Sequence, residues 1–88
     1  MKFYVDLGEG EPVCVEGNDP SPALKYADEH AALTHENIFV RTEKGRAVAI
    51  RNWYENLDGI GRQSNPLKIG DGYYADWRMN LVIEADRD

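Results

Sequence analysis

Apolar residues occupy every second position at the start of the chain. Phe3, Val5 and Leu7 alternate with Lys2, Tyr4 and Asp6, the period of a half-buried strand. Gly8-Glu9-Gly10-Glu11 supplies a flexible turn, and Pro12 to Glu16 returns as a second short strand with Val13 and Val15 on one face. The two predict a hairpin. Asn18-Asp19-Pro20-Ser21-Pro22 then reads as a helix start. Ser21 is placed to accept from the first unpaired amides, and Pro22 suits the first helical position, where its missing N–H costs nothing. The pattern from there predicts a helix to about Leu33. On a 100° wheel, Ala23, Leu24, Tyr26, Ala27, His30, Ala31 and Leu33 share one broad face, opposite Lys25, Asp28, Glu29 and Ala32.

Beyond the helix, Asn37 to Thr42 predicts a strand, Glu43-Lys44-Gly45-Arg46 a turn, and Ala47 to Trp53 the returning strand. Gly45 provides the positive φ that a short hairpin turn requires. Residues 55–72 have no clear periodicity and hold four Gly and one Pro, which predicts a long surface loop. From Tyr73 to Ala85 the alternation returns: Tyr73, Ala75, Trp77, Met79, Leu81, Ile83 and Ala85 form an apolar set, so a long strand, bent or split, is expected. The predicted order is β-β-α-β-β-loop-β. It gives an α+β fold: one domain over 1–88, an antiparallel sheet of four to five strands, and one helix packed on one face.

Size changes what such a fold is expected to do. A chain of 88 residues buries roughly two-thirds of its unfolded surface, so its single core is thin and binding at the surface is favoured over a deep cleft. No apolar run approaches the roughly 20 residues needed to cross a bilayer. Residues 1–6 lack the apolar stretch of a secretory signal. One cysteine, Cys14, allows no internal disulfide and suits a reducing compartment. A cytoplasmic protein without membrane contact is expected.

The formal net charge of −6 is unevenly placed. Residues 1–36 carry eight acids and two bases, residues 37–70 three acids and six bases, and residues 71–88 five acids and two bases. An acidic beginning and end therefore flank a basic middle. Such asymmetry bears on partners rather than on fold.

Candidate chemistry is sparse. Cys14 and the histidines are the obvious nucleophile and base, but Cys14 lies opposite Val13 and Val15 on a short strand, where a packed or half-exposed thiol is the simpler reading. His30, His35 and Glu36 cluster near the helix end, yet the chain has no HExxH and no cysteine pair. Gly59-Ile60-Gly61 and Gly70-Asp71-Gly72 continue into no dinucleotide fingerprint or phosphate loop, so turn formation explains them. No catalytic residue, metal site or cofactor is assigned.

Two binding readings lead, and a small metalloprotein or enzyme stays third, to be revived only if His30, His35 and Cys14 converge within ligand distance. In the first, acids on the first hairpin and the outer helix face form one negative surface for a protein partner: Glu9, Glu11, Glu16, Asp19, Asp28 and Glu29. Tyr4, Trp53, Tyr54 and Tyr74 are the expected anchors, since aromatic residues dominate interface hot spots. In the second, the basic hairpin 39–54, with Arg41, Lys44, Arg46 and Arg51 beside Phe39, Trp53 and Tyr54, tracks a nucleic-acid backbone and stacks on its bases. A homodimer is compatible with either, because acidic and basic segments could pair between copies.

The small acidic β-β-α-β-β plan is carried by the capped helix Ser21-Pro22-Ala23-Leu24-Lys25-Tyr26-Ala27-Asp28-Glu29-His30 and the hairpin Phe39-Val40-Arg41-Thr42-Glu43-Lys44-Gly45-Arg46. In that plan, which covers most of the chain, it resembles small phage-encoded inhibitors of bacterial defence, including anti-CRISPR and anti-restriction proteins. The resemblance implies a non-enzymatic inhibitor or adaptor that binds a nucleic-acid-handling complex, such as a CRISPR-Cas effector, and blocks its nucleic-acid site. It would work in the cytoplasm of the host cell. The resemblance transfers no functional residue, because these inhibitors share no common motif. The basic middle segment departs from strongly acidic DNA mimics and leaves a mixed-charge protein interface open.

Overall fold

A computed structural model of the chain describes residues 1–79. The first hairpin forms as the alternation predicts: β1, Lys2–Asp6, pairs antiparallel with β2, Val13–Glu16, placing Phe3 opposite Val15 and Tyr4 opposite Cys14. Helix α1 spans Ser21–His30, and a 3-10 turn follows at Ala31–Leu33. The second hairpin is β3, Ile38–Thr42, and β4, Ala47–Arg51. Gly45 turns it with φ of 87°. β1 pairs with β3 although 35 residues separate Asp6 from Arg41, so the two hairpins merge into one sheet.

The rest of the chain departs from one continuous sheet. The returning strand breaks at Asn52, and β5, Trp53–Tyr54, leaves for a second sheet. The segment read as a loop contains a 3-10 turn at Ile60–Arg62 and β6, Leu67–Ile69. β7, Gly72–Tyr74, lies between β5 and β6. β8, Arg78–Met79, returns to the first sheet beside β4. The long strand expected over Tyr73–Ala85 is therefore split between two sheets, and its part beyond Met79 lies outside the described residues. The result is an α+β fold with a five-stranded antiparallel sheet, β2-β1-β3-β4-β8, and a three-stranded one, β5-β7-β6.

Packing explains both the agreement and the departures. Ala23, Ala27 and Ala31 recur every four residues along α1 and its 3-10 extension, and all are buried. Their small side chains let the helix lie close against Phe3, Val5, Ile38 and Val40 on one face of the large sheet. The expected helical face is narrower than the wheel suggests. The α-helix stops at His30, and Leu33 points to solvent at 75% exposure, because the tighter turn rotates it off the core. The helix start also differs in detail. Ser21 makes no side-chain cap; instead its N–H donates to Asp19 Oδ1 at 2.8 Å, so the carboxylate two residues earlier satisfies the first free amide.

A bulge between Val40 and Arg41 adds one residue to β4, so Val48 and Ala49 are both buried. Tyr73 and Tyr74 are also both buried, since β7 is covered on its two sides. Tyr74 reaches into the main core and joins the sheets. Its hydroxyl lies 2.9 Å from the Thr34 carbonyl and 3.0 Å from that of Glu36, fixing the segment between α1 and β3.

Candidate interaction face

The helix covers one face of the large sheet, and strand alternation sends the other side chains to the opposite face. There, β1 carries Lys2, Tyr4 and Asp6, β2 carries Cys14 and Glu16, and β3 carries Phe39 and Arg41. Ile50 sits opposite Phe39 on β4, and Arg78 opposite Ile50 on β8. Tyr4, Phe39 and Ile50 are only partly buried, which puts an apolar stripe across three adjacent strands. Register sets Tyr4 beside Arg41. The Arg41 guanidinium lies 4.6 Å from the centre of the Phe39 ring and donates to Asp6 Oδ2 at 3.0 Å. That cation is thus stacked on an aromatic ring and paired with a carboxylate. Beside them, Tyr4, Pro12, Arg41, Thr42, Glu43 and Gly45 line a shallow depression of about 300 Å³.

The sequence-predicted residues fall into three groups. Tyr4 and Arg41 meet on this face, and Arg46 sits exposed in the β3–β4 turn at its margin. The acids form a second group. Glu9 and Glu11 occupy the first turn, whereas Glu16 and Asp19 lie at the other end of β2, separated by roughly 10–13 Å of strand. Glu29 is exposed on α1. Glu9, Glu11, Glu16 and Asp19 string along the β2 side of the molecule, Glu29 stands apart on the helix, and the set does not gather at one point. Asp19 is held below the usual carboxylate range, first by the Ser21 amide and then by its hydroxyl.

The third group is structural, and it corrects the expectation. Arg51, read as part of a basic surface, is 4% exposed. Its Nη1 donates to Asp28 Oδ1 at 2.8 Å, and Trp77 Nε1 donates to the same oxygen at 2.9 Å. Asp28 is therefore a clasp between α1, β4 and the approach to β8 rather than a free acid of a binding face. Tyr74, expected as an exposed anchor, is fully buried, and burial pushes its phenol above the ordinary value. Trp53 is partly buried and engaged by two other rings. His35 stacks on it at 4.7 Å and Tyr74 tilts against it at 4.8 Å. Tyr54 stays 43% exposed but stacks on Tyr73, away from Tyr4.

The sequence points to Phe39 only as an aromatic beside the basic hairpin, and it does not single out Ile50 or Asp6. The signal for Ile50 is masked by Val48 and Ala49, which make the strand look uniformly apolar; the bulge alone decides which of them faces out. Asp6 becomes visible only once β1 pairs with β3.

The chemical candidates disperse. His30 Nδ1 lies 2.8 Å from the Tyr26 carbonyl of its own helix, His35 stacks on Trp53, and Cys14 is exposed on β2. Among the described residues, no three His, Cys, Asp or Glu side chains stand close enough to hold a metal ion. No described helix is long and apolar enough to cross a membrane. No protein family, curated protein or solved structure matches the chain.

Proposed function

We propose that this chain is a non-enzymatic protein-binding module whose contact surface is the helix-free face of the large sheet. The observation that carries the reading is the stripe of Tyr4, Phe39 and Ile50, partly exposed and bordered by Arg41, Asp6 and Arg78. An apolar centre with a polar rim of both signs suits a protein surface. The same arrangement weakens the nucleic-acid reading: of the four cations on the basic hairpin, Arg51 is buried against Asp28 and Arg41 is neutralised by Asp6. Phosphate contacts draw their strength from cations that can release counterions, and these two are already engaged.

Within that reading, the carboxylates along β2 favour a partner with a basic surface. An inhibitor or adaptor acting on a nucleic-acid-handling complex, as in phage counter-defence, is the biological role proposed. Photo-crosslinking through Cys14, the single cysteine, tests it. A benzophenone maleimide on Cys14 should yield a discrete protein adduct in a bacterial lysate. The adduct should survive nuclease treatment and disappear in the Phe39→Asp variant. An adduct lost to nuclease, or indifferent to Phe39, would overturn the proposal. A salt-dependent shift of DNA or RNA abolished by Arg41→Glu with Arg46→Glu would instead establish the nucleic-acid reading.

A further inference from the structure

We infer that β2 is a docking edge for a basic, extended segment of the protein partner, which adds to the large sheet as a further strand. This rests on the protein-binding reading and specifies how the partner is held. β2 is terminal in the strand order, with no described strand on its outer side. The direction of its backbone groups follows from one hydrogen bond: Gly17 N–H donates to the Met1 carbonyl at 3.0 Å. In an antiparallel ladder, bonded and non-bonded pairs alternate. Counting from Met1 and Gly17, the pairs Phe3 with Val15 and Val5 with Val13 face each other across the ladder. Cys14 and Glu16 therefore turn their N–H and C=O groups outward, two donors and two acceptors at the spacing an added strand needs. Both residues are exposed. Pro12, which has no N–H, marks where the ladder ends.

Charge selects the occupant. Glu11 and Glu16 bracket the edge, with Glu9 in the adjoining turn and Asp19 beyond the far end. A second copy of β2 pairing antiparallel would bring two acidic edges together, and like charges repel. A strand bearing Lys or Arg meets complementary charge instead. In strand addition, main-chain bonds supply affinity and alternate side chains supply selectivity. The side chains of such a strand on the helix-free face would continue the row that Cys14 begins beside Tyr4.

The probe is a ten-residue peptide of alternating lysine and valine, with its glutamate–valine counterpart as control, at low ionic strength. Amide hydrogen exchange read by NMR should slow at least tenfold at Cys14 and Glu16 with the lysine peptide. Val13 and Val15, already bonded to β1, should not change, and the glutamate peptide should have no effect. Cys14→Pro removes one outward donor without touching the β1 ladder and should weaken lysine-peptide binding at least tenfold. If that variant does not fold, N-methylation of alternate peptide amides in the register facing β2 should abolish binding to the native protein. Protection at other strands, equal binding of both peptides, or a Cys14–Cys14 disulfide between two copies would overturn the inference. Should the lysine peptide not bind while the Cys14 crosslink still captures a protein through Phe39, the edge inference falls and the protein-binding reading stands.

Discussion

Single side chains separate structure from surface in this protein. The hydroxyl of Tyr74 is the clearest case, since it serves the carbonyls that lead from α1 into β3. Tyr74→Phe keeps the ring and removes that donor, leaving backbone acceptors unpaired. The expected cost is about 1–2 kcal/mol in urea unfolding. Burial raises the phenol, so folding disfavours its ionised form. The associated stability is fully present below the ordinary value of 10.0 and is lost as pH rises through the folded value. In an alkaline titration followed at 295 nm, Tyr74→Phe should remove a step lying above the ordinary value.

Arg51 and Asp28 make a second residue-scale prediction. Asp28→Ala strands a buried guanidinium and should cost roughly 1–3 kcal/mol, tempered by the carboxylate's access to water. Arg51→Met should cost less than Asp28→Ala. In the double variant the Asp28 change should cost less than it does alone, because no cation is left unpaired and only the Trp77 Nε1 donor loses its acceptor. Chemical denaturation of the three variants measures this coupling.

At the scale of elements, legibility follows how one-sided each element is. β1 was readable because Phe3 and Val5 are buried at 1% and 0% while Tyr4 and Asp6 are not. The β3–β4 turn was readable because Gly45 alone supplies its positive φ. β4 and β7 were not. A bulge in one, and burial on both sides of the other, place consecutive residues in the core and erase the period of two. The second sheet depends on Gly72, where a Cβ would collide with the Trp53 ring and the Tyr54 carbonyl. Gly72→Ala should destabilise the protein by about 1–3 kcal/mol and lower the near-UV signal of Trp53. At the helix start, Asp19 is depressed, so the stability it lends is present above the ordinary value of 3.8 and lost as pH falls through the folded value. Asp19→Asn should therefore lower stability at pH 7, and the gap from the native chain should close on acidification, as pH-dependent urea curves would record.

For the whole molecule, the charge asymmetry of the sequence acquires a different meaning. The acidic beginning and the basic middle partly cancel inside the fold, through Asp6 with Arg41 and Asp28 with Arg51. Those pairs span 35 and 23 residues, and neither can be seen in a local pattern. The helix covers one sheet face, while Tyr4, Phe39 and Ile50 keep partial exposure on the other. Affinity for the protein that Cys14 crosslinks, compared between variants of the two sides, tests this division most directly. Tyr4→Ser and Ile50→Ser should each weaken binding at least tenfold, or about 1.4 kcal/mol. Lys25→Ser and Ala32→Ser, on the solvent side of the helix and of its 3-10 extension, should change it less than twofold. Full binding by the sheet-face variants, with loss in the helix-side ones, would contradict the assignment of the interaction face.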